Sequence, residues 1–169
     1  MPASEGLSGF SAPSEGPGAG SSTAPLRVAG ALVVDDAGRI FFQKRSATRT
    51  LFPNTWDVVG GHVEEGETLE DTLRREVTEE TGWQLVVVLG EVGNYTYTGE
   101  DGLQRVETDF LIRVDGDLDR PRLEVGKHTE YRWLGPDDLA VLDENRQIND
   151  GMIRRIAEDG FAVLRTLGL

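Results

Sequence analysis

Residues 60–83 read GGHVEEGETLEDTLRREVTEETGW, and the placing of carboxylates in this stretch constrains the chain more than any other feature. Thr68, with Asp71 three residues later, matches a reciprocal N-cap, and Gly82 stands where a left-handed C-terminal cap belongs. The spacing therefore predicts a helix over Leu69 to Thr81. At about 100° per residue, Leu73 and Val77 fall within about 80° of Leu69 and form an inward stripe. Glu76, near about −20°, and Glu80, near about 20°, share that stripe, while Glu79 lies near about −80°. An exposed acidic helix explains the charge without any function, because a like-charged pair four residues apart in water costs only about 0.2–0.5 kcal/mol. Burial changes the sum: at an effective dielectric of about 20 and about 4 Å, two carboxylates repel by roughly 4 kcal/mol. A cation or a proton must then relieve them.

Clustered oxygen donors suit a hard ion such as Mg²⁺ or Mn²⁺, and Glu76, Glu79 and Glu80 place three within one helical turn. Gly60 and Gly61 lack the Cβ that would keep the preceding backbone from offering a carbonyl or accommodating phosphate. Arg75 is either an ordinary exposed cation or a partner for Glu67 that holds the loop and helix in register.

The remainder reads as one domain. Its 169 residues, 38% of them hydrophobic, suffice for one core, and the absence of cysteine removes disulfides, thiolate metal sites and a Cys nucleophile. Residues 1–25, dominated by Gly, Ser, Pro and Ala, are expected to be a flexible tail, and residues 26–169 the folded domain. LRVAGALVVD followed by DAGR predicts a strand and hairpin. IFFQKRS ends in Lys44 and Arg45, which either meet phosphate oxygens or guard an edge strand. WDVVGGHV reads as a short buried strand breaking at its glycines, and WQLVVVLGEV, NYTYTG, QRVETDFLIRV and TEYRWLG as further strands. From Asp150 onward, apolar residues at helical spacing predict a packing helix that Gly160 bends or divides. A net charge of −13 disfavours duplex nucleic acid and anionic membrane as partners, and no apolar run approaches the roughly 20 residues of a membrane span. A soluble, cytoplasmic protein is expected, and an anionic substrate would need a local cation.

The central stretch resembles the Nudix box: Gly61, Glu67, Arg75-Glu76-Val77, Glu79-Glu80 and Gly82 stand at that signature's spacing, with Trp83 where an aliphatic residue is usual. QKRS, PNTWD and EYRWL are similar to Nudix-domain surroundings. The resemblance implies an α/β Nudix fold, a mixed sheet sandwiched between helices in an α/β/α arrangement. It also implies metal-dependent hydrolysis of a nucleoside diphosphate linked to another moiety, by water attack on phosphorus. Glu76, Glu79 and Glu80 would bind divalent ions together with a backbone carbonyl near Gly60, and one of these glutamates would accept the water's proton. Glu67 and Arg75 would support them, Gly61, Lys44 and Arg45 would meet substrate, and Glu130 would be an outside ligand or base. Many relatives carry an acid where Lys127 or His128 stands here. A homodimer is the assembly suggested by analogy.

Two other readings compete. An isopentenyl-diphosphate isomerase shares the fold and the WD…GGHVEEGE entrance, but this chain has no Cys for the acid that group uses. A nucleotide sensor that has lost turnover would retain a similar box. Trp56, Phe52, Tyr95 and Tyr97 either stack a base or pack the core. Oxidised nucleoside triphosphates, ADP-ribose, other nucleotide sugars and dinucleoside polyphosphates are all candidate substrates.

Overall fold

The computed structural model describes residues 24–169, so nearly all of the expected tail lies outside the described residues. Strand β1 (Leu26–Val33) is the hub. Its Ala29, Ala31 and Val33 pack with one core cluster, while Leu32 and the adjoining Val34 pack with another. Both faces are thus covered, which is why the run is apolar without alternation. β1 pairs antiparallel with β4 (Val59–His62) and parallel with β6 (Gln104–Asp115), and β5 (Gln84–Thr98) flanks β6. A second, antiparallel sheet has β2 (Ile40–Arg45) between β3 (Trp56–Asp57) and β7 (His128–Leu134).

Helix α1 (Leu69–Thr81) lies over β1, β4 and β5 and buries Leu73 and Val77 beside Phe41 and Trp83. Helix α2 (Met152–Leu167) closes the other side, with Ile153, Ile156 and Phe161 against Leu32, Ile40 and Phe42. The arrangement is the α/β/α sandwich, its β layer divided into two sheets. α1 has the predicted ends: Thr68 and Asp71 form the reciprocal cap, and Gly82 takes φ 77°.

Several strand expectations are corrected. The LRVAGALVVD hairpin reduces to one bridge, Val34 to Ile40, after which the chain crosses into the other sheet. β2 is a central strand, so the charge at its end does not guard an edge. WDVVGGHV forms two strands in different sheets, with Gly60 and Gly61 inside the second. WQLVVVLGEV and NYTYTG are one strand, whose register shifts near Val87, Gly90 and Gly93 bend it without ending it. Short 3-10 turns at Leu139–Asp143 and Arg146–Ile148 precede α2 and were not foreshadowed by the apolar pattern.

Gly160 does not divide α2, which runs unbroken; a Cβ there would lie 2.4 Å from Leu32 Cδ2. Glycine is kept for close approach to β1. Replacing a mid-helix Gly by Ala ordinarily gains about 1 kcal/mol, but overpacking a filled core costs about 1–3 kcal/mol. Gly160→Ala is expected to lower the denaturant stability by about 1 kcal/mol net; a more stable variant would contradict this packing.

Candidate active site

The apolar stripe of α1 carries two of its glutamates inward. Glu80, in the last turn, is buried, and its Oε2 accepts hydrogen bonds from the Gly60 N–H at 2.9 Å and from Gln43 Nε2 at 3.1 Å. Burial, then the neighbouring Glu76 charge, holds its pKa well above the ordinary value. Glu76 lies one turn earlier against the β4 backbone; a Cβ on Gly61 would stand 2.2 Å from its Oε1. Burial raises its pKa as well, with Arg75 opposing and the Glu79 charge assisting. Glu79 is on the exposed flank, its side chain 49% accessible.

Arg75 ties these groups together. Its Nε and Nη2 donate to the two oxygens of Glu67 at 2.8 and 2.9 Å, and Nη2 also donates to the His62 carbonyl at 3.0 Å. Nη1 reaches Glu76 Oε1 at 2.7 Å and Glu79 Oε2 at 3.3 Å. The bidentate contact is the strong form of a guanidinium–carboxylate pair, and Arg75's hydrogen bond pulls Glu67 down to about 2. Arg75 thus fixes the loop to the helix and is itself a counter-charge inside the acidic group.

Among the described residues, no three acid or histidine side chains stand close enough to hold an ion as they are. Arg75 Nη1 stands against both Glu76 and Glu79. The donor set still fits a hard cation: it is all oxygen, the Gly61 backbone cradles Glu76 where a side chain would not fit, and one further carboxylate oxygen is orphaned nearby. That oxygen is Oε2 of Glu124, buried and without a hydrogen-bond partner among the described residues, on the loop before β7, while Oε1 of the same carboxylate lies 2.8 Å from Lys127 Nζ. The Glu124 carboxylate adds to the raising of Glu76. Its relevance was not visible in the sequence, because nothing in the spacing of that loop points to α1.

The other sequence candidates separate. Gly60 meets the group through its N–H to Glu80. Glu130 pairs across β7–β2 with Lys44, and Lys44 Nζ lies 3.7 Å from it and 2.7 Å from Glu144. Side chains alternate along a strand, so Lys44 and Glu130 occupy the face of β2 opposite Gln43 and hence opposite Glu80. The structure does not bring Glu130 to the helix glutamates. His128 is buried within β7, and burial lowers its pKa to about 3.

On the far side of β4 from α1 opens a cavity of about 290 Å³, bounded by the Gly60-Gly61 backbone, Arg45, Arg49, Phe52, Tyr97 and Glu107. Arg45 donates to Asp57 Oδ2 at 3.1 Å and to the Leu51 carbonyl at 2.8 Å. Arg49 is half-buried beside it, and burial, then the Arg45 charge, holds its pKa below the ordinary value. Lys44 does not line this space, nor do the other two candidate aromatics: Trp56 is in the core and Tyr95 donates to Asp159. Phe52 and Tyr97 do, with ring centroids 5.5 Å apart, and Phe52 holds a left-handed φ of 48°. The arrangement joins an acidic, backbone-cradled group to a cavity with cationic and aromatic walls.

The NUDIX domain family matches residues 24–156. An uncharacterised Nudix hydrolase of Nostoc is 36% identical over 115 residues, which span 68% of this chain and slightly under two thirds, 66%, of that protein. Nucleoside triphosphatase NudI of Escherichia coli K12 is 33% identical over 123 residues, 67% of this chain and 84% of that protein. Among solved structures, the MutT protein of Methanosarcina mazei superimposes with a TM-score of 0.66 at 22% identity, over 82% of this chain and 97% of that one. A MutT NUDIX hydrolase of Burkholderia pseudomallei gives 0.57 at 25% identity, over 72% and 98%.

Glu80 offers a direct check on the electrostatics. Its folded pKa is raised, so the folded state holds its proton more tightly than the unfolded one. Glu80 therefore costs nothing below the ordinary carboxyl value of 4.5, and destabilises the fold as pH rises from there through the folded pKa. Glu80→Gln keeps an oxygen for Gly60 N–H and loses the charge. In chelator-treated protein this variant should melt above the unchanged chain at pH 8, with the gap closing towards pH 5. A variant that melts lower at pH 8 than at pH 5, relative to the unchanged chain, would contradict the burial of an uncompensated charge.

Proposed function

The chain belongs to the Nudix hydrolase family and is a pyrophosphohydrolase of that type, acting on nucleoside diphosphate derivatives, and we propose that it does so through Glu76, Glu79 and Glu80 as holders of Mg²⁺ or Mn²⁺. The observation that carries this reading is the inward packing of Glu76 and Glu80 against Gly61 and Gly60. Buried carboxylates of like charge on one turn need a positive partner that Arg75, committed to Glu67, supplies only in part. Glu124, whose charge is felt by Glu76, is the outside carboxylate in this proposal, in place of Glu130. A divalent ion at this position would neutralise the diphosphate and acidify a water for attack on phosphorus.

The chain's own residues set the geometry. Gly60 N–H and the Gln43 amide fix Glu80, while Glu67 clamps Arg75 and so keeps the loop and its counter-charge beside Glu76 and Glu79. Glu79 is the glutamate of the three most open to solvent, and we assign it the proton of the attacking water. The new bond joins water oxygen to phosphorus, the bridging P–O bond breaks, and the leaving phosphate takes the electron pair. Arg45 and Arg49 on the cavity wall offset the charge of the phosphates in a chain of net charge −13. That the Escherichia coli relative is a nucleoside triphosphatase supports nucleoside triphosphates as the first compounds to try.

Release of phosphate, diphosphate or nucleoside monophosphate with added Mg²⁺ tests this directly against a binding-only sensor. Glu79→Gln and Glu80→Gln are each expected to lower kcat on the order of a hundredfold or more, Glu124→Gln less, and Glu130→Gln hardly at all. Equal turnover in the unchanged chain and both helix variants would reject the site.

A further inference from the structure

Two carboxyl groups stand on the cavity side of β6 apart from the helix glutamates. Arg105, Glu107 and Asp109 alternate along that strand and so share one face, and all three are buried. Glu107 lines the cavity while only 6% exposed, and its Oε2 accepts the Tyr97 hydroxyl at 3.0 Å. Asp109 lies deeper, fully buried, and neither of its oxygens has a hydrogen-bond partner among the described residues. The two groups converge over Gly30, where a Cβ would stand 1.6 Å from Asp109 Oδ1 and 3.0 Å from Glu107 Oε1.

Among the described residues no guanidinium donates a hydrogen bond to either carboxyl. Arg45 is taken by Asp57 and the Leu51 carbonyl, and Arg105 by Asp101, the Leu103 carbonyl and His62 Nε2. Two unpaired carboxylates at such a depth would repel strongly, and an orphaned buried polar group costs about 1–3 kcal/mol. The state that satisfies both keeps the proton on Asp109 and donates it to Glu107. Burial pushes Asp109 well above its ordinary value and raises Glu107 to about 7, in keeping with one proton held between them. Glu107 then receives donors from behind, Asp109 and Tyr97, and turns its remaining acceptor capacity to the cavity. Phe52 and Tyr97 supply aromatic surface alongside.

We propose that Glu107, backed by Asp109, reads the base of the nucleotide by accepting a hydrogen bond from a ring N–H or amino group, with the base against Phe52 and Tyr97. The inference rests on the nucleotide hydrolase reading and names the part of the substrate that its cavity selects. Glu107 is a specificity residue in this account, remote from the bond that breaks. A merely structural acid pair would hold the sheet together and would not distinguish one base edge from another.

The test compares nucleosides with and without a ring N–H, the latter no larger, so that no added bulk confuses the result: inosine, which has the N–H, against purine riboside, and uridine, which has it, against 2-pyrimidinone riboside. With the full chain and Mg²⁺, the triphosphate bearing the N–H is expected to have a kcat/KM roughly ten- to a hundredfold higher than its partner, the range of a hydrogen bond to a charged acceptor. In Glu107→Gln, whose amide also donates, that ratio should collapse towards one or invert. Titration calorimetry of the matching monophosphates in chelator gives the same comparison without turnover. There Glu79→Gln, which loses hydrolysis of the triphosphates, should keep the preference, which separates failure of base reading from failure of the catalytic assignment. Absence of a preference in the unchanged chain, or an undiminished one in Glu107→Gln, overturns the proposal. Should Glu107→Gln not fold, the preference in the unchanged chain and its loss or retention in Tyr97→Phe decide: retention in full overturns it.

Discussion

The hydrogen bond from the Gly60 N–H to Glu80 is the contact around which the site is organised. It draws a carboxylate of α1 into the layer between helix and β4, where water is scarce and charge is costly. Gly60 is permitted this because the β1 backbone is so close: a Cβ there would stand 2.3 Å from the Ala29 carbonyl oxygen. Gly61 is required for the next acid, Glu76, to lie flat on the strand. Close strand pairing and close helix packing therefore converge on the same two glycines, and the acids on α1 are aimed at them rather than at solvent.

That geometry makes β4 a partition. On one side stand the α1 glutamates with Arg75; on the other lies the cavity with Arg45, Arg49, Phe52, Tyr97 and Glu107. A backbone of two glycines between them lets the two sides approach without intervening side chains. The acidic side meets the charge problem with Arg75, while on the cavity side burial raises both Glu107 and Asp109 towards their neutral forms. Different devices solve the same difficulty because one side is a hydrogen-bonded rim and the other is sealed by Gly30 and the β6 backbone.

The sequence exposed those features whose causes are local. The caps of α1, the inward turn of Glu76 and Glu80 and the Arg75–Glu67 pair all follow from residues within a few turns of one another. The α/β class and the family resemblance were legible for the same reason, since the box is one continuous stretch. Strand partners were not: the alternation in β2 and β3 is the same whichever sheet receives them, so the split into two sheets and the central place of β2 appear only with the register. Glu130 shows the same limit. Its chain position suggested an outside ligand, yet the parity of β7 against β2 sets it beside Lys44 on the opposite face. Glu124, Arg49 and Glu107 gave no signal because loops and a sheet face bring them to the site from far along the chain.

Anomalous diffraction from crystals grown with Mn²⁺ and a non-hydrolysable nucleotide would locate the ion. Manganese is expected between Glu76, Glu79 and Glu80 beside Gly60, with Arg75 Nη1 withdrawn from Glu76 and its Nε still on Glu67. Manganese bound elsewhere, or an acidic turn still bridged by Arg75 with no ion beside it at saturating Mn²⁺, would contradict that placement.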